Sequence, residues 1–161
     1  MECLFNLNIF SLIISIVALL WSLTYILIKP RLKIDVTCLI ENQLSIKIIN
    51  EGFGTAINLK IESCIIDCSA KTYHLDIDRT DFIMLLPKRK GNNSRTFKTR
   101  GFSESALDFI KNKDTTIEDM IKTHNKIRVR VHSEHGFTGF GKAVEQKFKY
   151  CNSNNEFIKI K

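Results

Sequence analysis

Leu44-Ser-Ile-Lys-Ile48 and Ile57-Asn-Leu-Lys-Ile61, joined through Asn50-Glu-Gly-Phe-Gly-Thr-Ala56, decide the fold of this chain. In both runs apolar and polar side chains alternate. Successive side chains of an extended chain point to opposite faces, so each run has one face for a core and one for water. The same alternation appears in Leu32, Ile34, Val36 and Cys38, and in Tyr73, Leu75 and Ile77. It returns in Ile127, Val129 and Val131 against Arg128, Arg130 and His132, and in Ala143–Tyr150 with Val144 and Phe148. Phe82–Leu86 and Arg95–Arg100 read as two further strands. Gly136, Gly139 and Gly141 supply turn chemistry before the last of them. Short alternating strands at this spacing predict a mainly β domain, an antiparallel sandwich.

Segment 103–124 interrupts the pattern. Ser103 is expected to cap a short helix carrying Ala106, Leu107 and Ile110. Thr115-x-x-Glu118 reads as a capping box before Ile117–Lys122. The segment is taken as a helical insertion over one end or edge of the sandwich. Asn152–Asn155 reads as a loop before a C-terminal tail.

The second decisive stretch is Leu4–Ile28, which has no charged side chain and is followed by Lys29, Arg31 and Lys33. About 20 apolar residues at ~1.5 Å rise cross a bilayer core of ~30 Å, so the run predicts a transmembrane helix. The flank before it lacks the basic residues of a signal peptide, which argues for a retained anchor. Basic residues on the C-terminal flank place the N-terminus outside and the following domain in the cytoplasm, as a single-pass protein. Five scattered cysteines do not look like a secreted disulfide framework. The expected organisation is an anchor over 4–28, a β-sandwich domain over 29–151 and a tail over 152–161. Asn8, Ser11, Ser15, Ala18, Ser22 and Tyr25 follow at steps of three and four, so they share one helix stripe. Such a stripe allows close helix association, unless the serines bond back to their own helix carbonyls.

Asn50-Glu-Gly-Phe-Gly-Thr-Ala-Ile-Asn58 resembles the Asn-x-Gly-x-Gly-x-Ala-x-Asn turn of Ig-like β-sandwich proteins. Ile127–Phe148 resembles the closing hairpin of the same kind of domain. Together with the anchor, the chain looks like a loose group of uncharacterised small bacterial single-pass membrane proteins with an Ig-like domain. The resemblance implies a fold and brings no catalytic residues. The turn has its own physical reading: Gly52 and Gly54 permit positive φ, and Asn50 and Asn58 can bond nearby backbone.

The chain has 161 residues and a formal charge of +7. No Gly-x-Ser-x-Gly, His-Glu-x-x-His or phosphate-loop pattern appears, and no enzyme is expected. Cys64, Cys68, His132 and His135 have permissive spacing for zinc, but nothing local brings the pairs together, and neither metal nor cofactor is expected. Asp76, Asp78 and Asp81 lack the rest of a calcium loop and read as turn residues. The better lead is basic. Lys88, Arg89, Lys90, Arg95, Lys98 and Arg100 lie in a stretch without acids, read as a hairpin loop. With Lys29, Arg31 and Lys33 they are candidate contacts for anionic lipid or phosphate. Few aromatics accompany them, which weighs against nucleic acid as a partner. The leading expectation is an interaction protein tethering itself or a partner at the cytoplasmic face of a membrane, as a homo-oligomer or with a membrane-protein partner. The alternatives are a membrane effector or sensor in bacterial stress or phage defence, and a membrane-tethered nucleic-acid-binding domain.

Overall fold

The computed structural model describes residues 2–77, 83–110, 114–136, 139 and 141–160, with the side chains of 2–8, 25–28, 38–40 and 89 outside that description. A helix, α1 (Glu2–Ile28), leads into β1 (Leu32–Ile40), β2 (Gln43–Asn50), β3 (Ala56–Ile66), β4 (Thr72–Ile77) and β5 (Ser94–Phe102). Two short helices, α2 (Glu104–Leu107) and α3 (Ile117–His124), precede β6 (Lys126–His135), β7 (Gly141–Cys151) and β8 (Glu156–Ile160).

Every strand pairing is antiparallel, and the strand order is β1-β2-β5-β4-β3-β6-β7-β8. The domain is therefore mainly β, as the alternation requires. It departs from a sandwich of two separate sheets, because β5 serves both halves. Its first part pairs with β2 through Ile46↔Phe97, and its second with β4 through Leu75↔Phe102. The sheet turns back on itself until β1 lies against β7 and β8. There Lys159 Nζ approaches Asp35 Oδ1 to 2.7 Å across the seam. Burial pushes the Asp35 carboxyl up, and bonds from Lys159 and Lys33 outweigh it and leave it below the ordinary range. Mutual cover of two edge strands also removes a template for further pairing.

The inward residues of the two halves meet in one core. Ile46, Ile48, Leu59, Ile65, Ile127, Val129 and Phe148 are all buried. Each such side chain contributes about 1.5–3 kcal/mol by leaving water. Glu41 and Asn42 both take positive φ between paired Ile40 and Gln43. That is the two-residue turn whose twist suits a hairpin.

Several expectations are corrected. Among the described residues, no helix is long and apolar enough to cross a membrane. The transmembrane assignment of 4–28 falls with this finding. So does the single-pass placement with an external N-terminus and a cytoplasmic domain. Ile83–Leu86 forms no strand: Leu85 makes one isolated bridge to Ala56. The expected tail instead contributes β8, with Tyr150↔Phe157 among its pairs. The capping box lies one residue later than expected. Thr116 Oγ1 accepts from Asp119 N, and the Asp119 carboxylate accepts from Thr116 N. Ser103 makes no side-chain cap bond.

Candidate functional site

Three surfaces carry the residues that the sequence marks. The first is α1. Phe10, Leu12, Leu19 and Trp21 are each at least 60% exposed. Ile13, Ile14, Ile16 and Val17 are exposed as well, so apolar side chains surround the helix. Among the described residues, no strand packs extensively against it. Two serines of the expected stripe bond back to their own helix. Ser15 Oγ donates to Ser11 O at 2.9 Å and Ser22 Oγ to Leu19 O at 2.8 Å. Thr24 Oγ1 donates to Trp21 O at 2.8 Å. These hydroxyls are engaged by their own helix, which is the ordinary fate of such residues. Ala18 is exposed between them, and the side chains of Asn8 and Tyr25 lie outside the described residues.

The second surface surrounds the Asn50 turn. Asn50 is fully buried, and its side chain satisfies five backbone groups. Its Oδ1 accepts from Arg31 N at 3.2 Å and Gly52 N at 3.0 Å. Its Nδ2 donates to Gly54 O at 2.7 Å and to Leu85 O and Leu86 O at 3.3 Å each. Glu51 N donates to Arg31 O, and Lys88 N to Gly52 O. One buried amide thus fastens the 29–31 segment and the 85–88 segment to the β2–β3 connection. Gly52 is needed for close approach rather than for positive φ: a Cβ there would lie 2.4 Å from both Arg31 N and Lys29 O. The expected local bond of Asn58 is replaced by one across the sheet, from its Nδ2 to Glu134 Oε2 at 2.8 Å.

This clamp gathers the backbones carrying Lys29, Arg31, Lys88 and Lys90 at one end of the domain. It does not gather the whole basic set. Lys33 pairs with Asp35 at 3.3 Å. Arg95 lies 5.9 Å over the Phe97 ring. Phe97 and Thr99 face the core, so Lys98 and Arg100 stand on the outward side of β5, farther along the strand. The Arg89 side chain lies outside the described residues. The cations with described side chains therefore do not share one surface, and the loop before β5 is a turn of 3-10 helix, Lys88–Lys90, rather than a hairpin.

The third surface is a trough of about 450 Å³ on β3, β6 and β7. Asn58, Lys60, Glu62, His132, Glu134 and Lys142 line much of it. Lys60 Nζ is 3.4 Å from Glu62 Oε1, and His132 Nε2 is 3.7 Å from Glu62 Oε2. Burial raises the Glu62 carboxyl, and the Lys60 bond with the nearby His132, Lys60 and Arg130 charges lowers it further than burial raises it. The charged groups of the trough, Lys60 and Lys142 with Glu62 and Glu134, largely neutralise one another. His132 and His135 are an odd number of residues apart on β6, so they face opposite sides and do not converge with the cysteines. Among the described residues no group of three His, Cys, Asp or Glu side chains is placed to hold a metal. Asp76 is exposed, and Asp78 and Asp81 lie outside the described residues.

Sequence reasoning missed a further feature. Lys126 stands directly opposite Lys149, and Arg128 opposite Lys147. Only the strand register reveals these like-charged pairs, because the partners are about twenty residues apart in the chain. No protein-family model matches the chain, and no curated protein matches it.

Proposed function

We propose that this chain is an interaction protein that assembles through α1 with further copies of itself and so gathers its β domains. The observation that supports this reading is the run of exposed apolar side chains around α1, from Ile9 to Leu23. Contiguous exposed apolar surface of this kind marks an interaction site. A helix that is apolar all round is stable only where neighbours cover every side. One flat partner leaves the far side wet, whereas a bundle of identical helices covers each member from several directions. β1 begins four residues after α1 ends, and Asn50 clamps the residues between. Assembly of the helices therefore holds the domains close together, which raises their effective concentration for any shared partner.

The test is the mass of the full chain in solution beside the Ile13→Lys/Leu20→Lys variant. The wild type should form a discrete oligomer, and the variant should be monomeric, with the melting temperature that the wild type approaches on dilution. A monomeric wild type would overturn the proposal. So would a wild type recovered with membranes and released only by detergent, because lipid would then be the cover for α1.

A further inference from the structure

We infer that the outward face of β6 and β7 is a docking surface for the phosphate backbone of duplex nucleic acid. The cross-strand pairs Lys126↔Lys149 and Arg128↔Lys147 carry the inference. Ile127 and Val129 on β6 and Phe148 and Tyr150 on β7 are buried, which turns the four cations outward. Directly opposed side chains have Cβ atoms about 5 Å apart, and successive outward residues are separated by about 6.6 Å along a strand. Four positive charges thus occupy one small rectangle.

Like charges placed directly opposite destabilise a sheet unless something of the other sign meets them. Within the chain Glu145 answers them only in part, since its carboxylate feels the charges of Arg130, Arg128 and Lys147 together. None of the four cations belongs to an ion pair among the described residues. The neighbouring carboxylate, Glu145, is taken by Arg130, whose Nε and Nη2 lie 3.0 and 2.6 Å from Glu145 Oε2. Continuing across the sheet, Lys147 faces Ile160 and Lys149 faces Ile158, so the next strand adds no acid to either row. On the other side Arg128 faces Cys64.

The shape selects the class of anion. The face is open and built on regular strand, which suits an extended polyanion better than a small molecule. Its aromatic neighbours Phe148, Tyr150 and Phe157 belong to the core or pack against it, leaving no ring outside on which an unpaired base could stack. Contact is therefore with phosphates, independent of sequence, and duplex fits better than single strand. The overall charge of +7 assists encounter.

The experiment uses the full chain and a fluorescein-labelled DNA duplex of arbitrary sequence, with binding followed by anisotropy at stepped salt. Four phosphate contacts predict a slope of log affinity against log salt near −3.6, at about −0.9 per contact. Lys126→Gln/Lys149→Gln should reduce the slope to about −1.8 and should raise the melting temperature, because a repulsive pair is removed. Lys88→Gln/Lys90→Gln, at the Asn50 end, should leave the slope unchanged. Salt-independent binding or no binding by the wild type would overturn the inference. A Lys126/Lys149 variant that binds like the wild type would also overturn it, as would loss of the slope in the Lys88/Lys90 variant instead. Phosphatidylserine vesicles form the last arm: if they bind with the same sensitivity to Lys126 and Lys149 while duplex does not bind, the surface reads lipid and the inference fails.

Discussion

Helices α1 and α3 show two ways of being apolar. In α3 the apolar residues are spaced so that Ile117 and Ile121 fall on one side, and both are buried in the domain. Its ends are finished: Thr116 and Asp119 close the first turn, and Asn125 takes a left-handed conformation and donates its N–H to Ile121 O. Asn42 of the β1–β2 turn accepts from Glu118 N at 3.1 Å, tying the helix to the sheet. In α1 the described apolar side chains are exposed, and the hydroxyls of Ser15, Ser22 and Thr24 bond to carbonyls of the same helix. An amphipathic helix states which part of its own chain will cover it. A uniformly apolar helix does not, and its cover must come from elsewhere.

The contrast is broken first at α3. Ile121→Ala removes a fully buried side chain and leaves a void between helix and sheet. The expected loss is about 3 kcal/mol, within the range for such truncations. At this chain length it should lower the melting temperature by roughly 6–12 °C in a calorimetric or circular-dichroism melt. A shift within error would show that α3 is an ornament on the sheet and not part of its core.

That dependence was half legible in the sequence. The Thr115-x-x-Glu118 pattern announced a helix over Ile117–Lys122, and period-two alternation located most of the strands. The errors came where local pattern and tertiary partner disagree. Ile83 and Leu85 alternate with other residues as a strand would and are indeed buried, yet the backbone there makes only one bridge. Alternation reports which side chains are inside, not which amides find a ladder. Glu156–Ile160 has the opposite problem: Phe157 and Ile158 are both apolar, so no face is marked, and β7 alone makes it a strand. With two adjacent threonines, Thr115 and Thr116, spacing could not choose the cap, whereas geometry could. The apolar content of α1 was plain in the sequence, but what covers such a helix is not written in a single chain. The basic set was legible as composition and misleading as a surface, because β5 carries Lys98 and Arg100 away from the Asn50 end. The Lys126/Lys149 and Arg128/Lys147 pairs required the register.

The next sharpest test concerns the finished end of α3. Thr116→Ala should cost about 1 kcal/mol, the usual loss for an N-cap hydroxyl, measured by chemical denaturation. The same cap gives a pH signature. The bond from the Thr116 hydroxyl, followed by the bond from its backbone N–H, holds the Asp119 carboxyl below its ordinary range. A carboxylate whose pKa is depressed by folding contributes stability that is complete above the unfolded value and lost as pH falls through the folded one. Wild-type stability should therefore decline on the acid side, between the ordinary carboxylate range and the lower folded value. In Thr116→Ala that part of the acid decline should be smaller. Parallel acid profiles for the two proteins would remove Asp119 from the account of the cap.

The smallest expected effect is the most informative about α1. Ile13→Ala deletes as much side chain as Ile121→Ala, but from a position that is 52% exposed. If the domain does not depend on α1, its stability should change by less than about 0.5 kcal/mol, as for surface positions away from specific contacts. The two isoleucine truncations thus make a matched pair, with the same atoms removed from a covered and an uncovered helix. The comparison should be made at low protein concentration, where assembly contributes least, and then repeated at high concentration. Assembly stabilises a folded chain by mass action, so any destabilisation from Ile13→Ala should appear only as concentration rises. A loss at low concentration that approaches the Ile121→Ala value would mean that α1 is covered by its own domain. The contrast between the two helices would then collapse, and with it the reason to look for a cover in a second copy of the chain.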